Sequence, residues 1–177
     1  VSDAPPTGFY LHPASGRHDT GWGHPEHQGR LRALTGRIEA ELPTLLGRVV
    51  QGVGGEADEG DLLRVHTADH LKRVQEAVAR AKREGGVVAL DADTVVSGAS
   101  WDAALASAGA AIAACEAVAA GERSNAFVAT RPPGHHATSD RAMGFCLVNH
   151  GAVAARWLQA TGRAARILIV DWDVHHG

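Results

Sequence analysis

Arg166-Ile-Leu-Ile-Val-Asp-Trp-Asp-Val-His-His-Gly177 is the stretch on which the fold turns. Residues 167–170 are an unbroken aliphatic run, the pattern of a strand buried on both faces in a parallel sheet. The run gives way at once to Asp171, Asp173, His175 and His176. Alternation along an extended chain puts Asp171, Asp173 and His175 on one side. Open α/β sheets place ligand chemistry outside the carboxyl ends of their strands. Carboxylate oxygen with imidazole nitrogen is a zinc-type donor set, and a catalytic zinc needs three protein ligands and an open position. Asp171 directly follows four apolar residues, so its charge is expected to be buried and compensated by a cation or an imidazole.

Earlier in the chain, a strand over 125–130 leads into Arg131-Pro-Pro-Gly-His-His136. The two prolines fix φ and forbid helix, and Gly134 permits a close approach. Adjacent histidines held at a strand end, upstream of metal-type ligands, read as a general acid/base unit. Met143-Gly-Phe-Cys-Leu-Val-Asn-His150 follows, and composition alone reads Phe145 as core or as functional almost equally well.

The remaining elements alternate. A strand over 8–11 precedes a Gly/His/Pro-rich loop over 12–28, and a helix from about Glu26 carries Leu31, Leu34, Ile38 and Leu42 on one stripe until Pro43. A strand over 48–53 and a helical turn over 58–63 follow. Thr67 caps a helix with Leu71, Val74, Val78 and Ala81 facing inward, Glu76 and Arg80 paired outside, and Gly85-Gly86 as terminator. A loop is expected over 91–100. Ser100 then caps an alanine-rich helix to Ala120, with Trp101, Leu105, Ile112 and Cys115 on one side and small residues allowing close packing. Cys115 reads as a small core residue. A last helix spans 149–161. Helices alternating with short apolar strands argue an α/β fold with a mainly parallel sheet.

A chain of 177 residues suits one core, so 1–177 is read as belonging to a single domain. A net charge of −3 argues against a nucleic-acid or anionic-membrane surface. Cys115 and Cys146 are too few for a disulfide framework or a cysteine zinc site, so reduced thiols and a cytoplasmic location are expected. No stretch reads as a membrane span or a leader peptide. The chain begins without Met and stops inside its strongest motif, so a piece of a longer protein is expected.

These motifs resemble the histone deacetylase family. Arg131-Pro-Pro-Gly-His-His136, Gly144-Phe-Cys146 and Val170-Asp-Trp-Asp-Val-His-His-Gly177 match its signature blocks in order and spacing. Their wording is similar to class II-type deacetylases and bacterial deacetylase-like amidohydrolases, with acetylpolyamine amidohydrolases and acetoin-utilisation proteins as relatives. Gly23-His-Pro-Glu-His-Gln-Gly-Arg30 and residues 63–74, with their Val65-His-Thr67 segment, resemble further blocks. The resemblance implies a three-layer arginase/deacetylase-like fold, incomplete in this chain, with helices on both faces of the sheet.

It implies Asp173 and His175 as two of three zinc ligands. His136 would be general acid/base and His135 electrostatic. Asp171 would orient His135 and, with main-chain oxygens of Asp173 and His175, hold a structural potassium ion. Gly144 would offer its carbonyl to the substrate amide, and Phe145 would wall an acyl-lysine tunnel. Arg30 would lie near an internal pocket, and Asp93 or Thr94 at the tunnel rim. The implied substrate is an acetylated protein, a polyamine or a small acetylated amine, with self-association left open. Bound zinc would polarise the acetyl carbonyl and acidify a water.

The family's third zinc ligand, the partner of its second histidine, its second tunnel phenylalanine and its oxyanion tyrosine are expected beyond Gly177. Without them the chain alone is expected to be inactive and unstable by itself. The cysteine-containing structural zinc site of some relatives is not expected, despite His18, His24 and His27. Two rivals remain: a non-catalytic acyl-lysine or partner-binding module on a degenerate fold, and a binuclear manganese hydrolase of arginase type.

Overall fold

The computed structural model describes residues 4–177. Strand β1 (Thr7–Leu11) leads through a 3₁₀ turn (Pro13–Arg17) and a long loop to helix α1 (Gly29–Glu41). A 3₁₀ turn containing Pro43 precedes β2 (Val49–Val53). Then come α2 (Glu59–Leu62), α3 (Ala68–Glu84), β3 (Val87–Ala89), β4 (Val95–Ser97), α4 (Ser100–Ala119), β5 (Ala126–Val128) and α5 (His150–Ala160).

Strands β2, β1 and β5 form a parallel sheet in that order, with Phe9 opposite both Gln51 and Phe127. Because β1 and β5 run the same way, the loops 12–28 and 129–149 leave the sheet at one edge. Consecutive residues of β1 face opposite sides. Tyr10 packs under α4 against Ala114 and Ala117. A Cβ at Gly8 or Gly52 would come within 2.6 Å of the Tyr10 ring, so the strand glycines make room for it. On the other face Phe9 stacks on Phe127, with centroids 5.9 Å apart.

The core forms where the inward stripe of α3 (Leu71, Val74, Val78, Ala81) meets Leu62, Val88, Val96, the alanines and Ile112 of α4, and Val153 of α5. Burying each Leu or Val here is worth about 1.5–3 kcal/mol. Thr67 caps α3 by accepting the His70 N–H at 3.2 Å. The small residues of α4 permit close contact: a Cβ on Gly109 would fall on the Gly55 carbonyl oxygen. α4 also has the length and apolar composition of a membrane span, contrary to the sequence expectation, but most of it is buried inside the fold.

Five further expectations need correcting. Residues 166–177 are not a strand: Leu168, Ile169 and Val170 are exposed, because no strand among the described residues lies beside them to complete a ladder. Helix α1 buries none of its side chains, and Leu34 is exposed, because its apolar stripe borders open grooves rather than the core. Ser100 does not cap α4. Ala99 is the N-cap residue, and the Ser100 hydroxyl instead faces inward to accept the Ser97 N–H at 2.7 Å. The stretch read as a loop over 91–100 contains β4, which pairs antiparallel with β3. Glu76 reaches Lys72, at 3.9 Å, rather than Arg80.

Candidate active site

Three segments meet at the carboxyl edge of the sheet: the loops after β1 and β5, and residues 171–177. Arg131 is buried at the head of the second loop, and Gly134 packs so tightly on His150 and the Val148 carbonyl that a Cβ would lie 2.7–2.9 Å from them. The turn presents His135 and His136 with ring centroids 3.9 Å apart.

His135 Nδ1–H donates to Asp171 Oδ2 at 2.9 Å. A carboxylate only accepts, so this bond places a His135 proton on Nδ1. The Asp171 carboxyl is held below the usual carboxylate range by the His135 bond, assisted by the Asp173 N–H. Its side chain is 38% exposed, not buried as expected, because residues 166–170 run over the surface. Asp171 Oδ1 accepts the Asp173 N–H at 3.1 Å, and Asp173 Oδ1 accepts the His175 N–H at 2.8 Å. The chain therefore bends at these residues instead of alternating. The bend brings Asp173 Oδ1 to 3.0 Å from His175 Nδ1 and the His175 ring to 5.9 Å from His136. Hydrogen bonds from the main chain and ring of His175 depress the Asp173 carboxyl. Partial burial, with His135 and His175 nearby, holds the His136 pKa below its ordinary value.

Gly144 and Phe145 both have positive φ, 55° and 69°. A Cβ on Gly144 would overlap the His136 ring. Phe145 is held in this unusual conformation by Thr94 Oγ1, which accepts its N–H at 3.0 Å. The Phe145 ring meets His24 edge-on at 4.7 Å, and His24 Nε2–H donates to the Asp93 carbonyl at 2.9 Å. Gly144 O accepts a hydrogen bond from the Cys146 thiol at 3.4 Å, and burial pushes that thiol up to about 11.

His135, His136, Asp171, Asp173, His175, Gly144 and Phe145 are thus gathered into one region. Arg30 is largely exposed, 3.6 Å from Glu26, on an open groove of about 440 Å³ rather than an enclosed pocket. His18 is buried with Nδ1 on the Ser100 hydroxyl, and His27 Nδ1 accepts the Gly29 N–H.

Sequence reasoning missed the supporting residues. Glu26 is buried and chelates Arg131. His66 donates from Nδ1 to the Thr138 carbonyl and accepts the Asn149 N–H at Nε2, both at 2.9 Å, pinning both ends of the glycine-containing loop. His70 donates to the Leu147 carbonyl at 2.9 Å. The spacing of His66 and His70, four apart at a helix start, was a readable signal; Glu26 was hidden among the other polar residues of its loop.

Asp173 and His175 bring a carboxylate oxygen and an imidazole nitrogen to 3.0 Å from each other. No group of three metal-type side chains occurs among the described residues.

The histone deacetylase domain model matches residues 24–177. The chain is 38% identical over 173 residues to a histone deacetylase-like amidohydrolase of Pseudomonas aeruginosa, covering 98% of this chain and 42% of that protein. It is 36% identical over 171 residues to a probable deacetylase of Archaeoglobus fulgidus, covering 97% and 46%. The crystal structure of the HDA15 HD domain superposes with a TM-score of 0.86 at 34% identity, over 98% of this chain and 48% of that one. The chain therefore spans less than half the length of these relatives.

Proposed function

The chain belongs to the histone deacetylase family, and on that premise we propose that the intact protein is a zinc-dependent amidohydrolase that removes an acetyl group from an acylated lysine or amine. One observation carries the reading: the His135–Asp171 pair at 2.9 Å lies beside His136, whose ring in turn meets that of His175 edge-on. Asp173 and His175 would hold zinc, which when bound supplies Lewis acidity toward a carbonyl and a water of lowered pKa. His136 accepts a proton at an imidazole nitrogen and later gives it to the leaving amine. Its depressed pKa favours the neutral, accepting form near neutral pH. His135, held with a proton on Nδ1 by Asp171, presents an oriented ring to its neighbour, the electrostatic role proposed for it.

Gly144 O and the Phe145 ring position the acyl amine and exclude water. Asp171 has lone pairs beyond its two hydrogen bonds, so a potassium ion on it and on the main-chain oxygens of Asp173 and His175 belongs to the same proposal. Acetylated proteins, polyamines and small acetylated amines are the substrate class, and the two free thiols accord with a cytoplasmic location.

Elemental analysis of the intact protein tests the ligand assignment. One zinc per chain is expected, with less than a tenth of that in Asp173→Ala or His175→Ala. Stoichiometric zinc in either variant removes that residue from the metal site.

A further inference from the structure

We infer that the buried Glu26–Arg131 ion pair is a positioning device, fixing the His135–His136 loop relative to the Phe145 wall; the inference rests on the hydrolase reading above. Arg131 heads the histidine loop, four residues before His135, and both members of the pair are at most 5% exposed. The guanidinium is bound on every side. Nε–H and Nη2–H donate to the two Glu26 carboxylate oxygens at 2.5 and 2.7 Å, a bidentate fork. Nη2–H also donates to the Glu26 carbonyl at 2.6 Å, and Nη1–H groups donate to the carbonyls of His18 at 3.0 Å and Ser15 at 3.3 Å. The Arg131 carbonyl accepts the Ser107 hydroxyl of α4 at 2.9 Å. Arg131 is therefore fixed through side chain and main chain, and the stiff Pro132-Pro133 pair passes that position on to the histidines.

The Glu26 end reaches the substrate side. Its N–H donates to His24 Nδ1 at 3.0 Å, and His24 in turn holds the Asp93 carbonyl and meets the Phe145 ring. One residue thus joins the two: the Glu26 carboxylate holds the loop bearing the proposed base, and its main-chain N–H holds His24 against the wall that would hold the acyl chain. A buried ion pair is a poor source of net stability, since its desolvation offsets its attraction. What a bidentate fork supplies is direction, and lysine, with a single point charge, does not reproduce it.

The test uses Arg131→Lys in the intact protein, which keeps the charge and loses the fork. Turnover of an acetylated lysine peptide is measured with zinc content, unfolding midpoint and the imidazole NMR signals of His135 and His136. We expect kcat per folded, zinc-loaded molecule to fall about 10- to 100-fold with KM within threefold, and the imidazole signals to shift. Should Arg131→Lys fail to fold, Glu26→Gln, which keeps the shape of the acid, is read the same way. A lower unfolding midpoint with wild-type kcat per folded molecule and unmoved imidazole signals overturns the inference, leaving the pair a structural role only. If the wild-type protein turns over no acylated amine, the hydrolase reading fails by itself, and the imidazole signals still decide whether the pair positions the loop.

Discussion

Substituting Gly144 by alanine loads two separate costs onto one methyl group. The backbone there has φ of 55°, a left-handed conformation that costs an L residue roughly 1–2 kcal/mol. The added Cβ also falls on the His136 ring, on its Cδ2 and Cγ atoms rather than on a flexible tip. That ring has little room to retreat, because the His135 ring centroid is 3.9 Å away and His135 is itself tethered to Asp171. Stability should therefore drop by about 1–2 kcal/mol from the backbone term alone. His136 should also move by a distance of the order that costs about 10²-fold in rate when a reacting group is misplaced by 1 Å. Denaturant unfolding of the intact protein measures the first effect, and steady-state deacetylation of a lysine peptide at matched folded fraction measures the second. An alanine variant with kcat within twofold of wild type would refute the placement of His136 against Gly144, whatever its stability.

One further substitution and one pH dependence follow from the fold. Asp171→Asn removes the carboxylate that holds a proton on His135 Nδ1 and should cost roughly 10- to 100-fold in activity or metal affinity; wild-type values of both would show that the 2.9 Å contact has no functional weight. His18, lowered to about 3 by burial and then by Arg131, stays neutral in the fold while the unfolded chain takes up a proton below its ordinary value of 6.5. The unfolded state then binds more protons, so stability should fall as pH drops below about 6.5, by about 1.4 kcal/mol per pH unit from this residue. Unfolding curves at pH 7.5 and 5.5 with an NMR titration check this, and a His18 midpoint near 6.5 in the folded protein contradicts it.

Much of this organisation could be read from residue patterns, and the exceptions have physical causes. The stripe of α3, its Thr67 cap, the parallel strands and the Pro-Pro-Gly turn follow from local chemistry, which periodicity and turn residues encode directly. Residues 167–170 were misread because a strand is a property of a pair: an apolar run without a ladder partner among the described residues is an exposed extended segment. The stripe of α1 failed similarly, since amphipathicity says which face wants cover and not whether anything covers it. Ser100 was assigned to its helix end because capping is the commonest use of serine there. Its inward contact with His18 spans 82 positions, and no local pattern reports it. Glu26 and Arg131 are 105 positions apart, and their pairing likewise exists only in the folded chain.

In the proposed function, the tandem histidines beside Asp173 and His175 serve metal-assisted hydrolysis of an acylated amine. Acetate release from an acetylated lysine peptide and from an acetylated polyamine, by the intact protein and by His136→Ala, tests it most directly. The wild-type protein should release acetate from at least one substrate, lose that activity on chelation and regain it with zinc. His136→Ala should keep its zinc and lose about 10²–10⁴ in kcat. Turnover in His136→Ala equal to that of the wild type, or wild-type turnover indifferent to chelation, would contradict it.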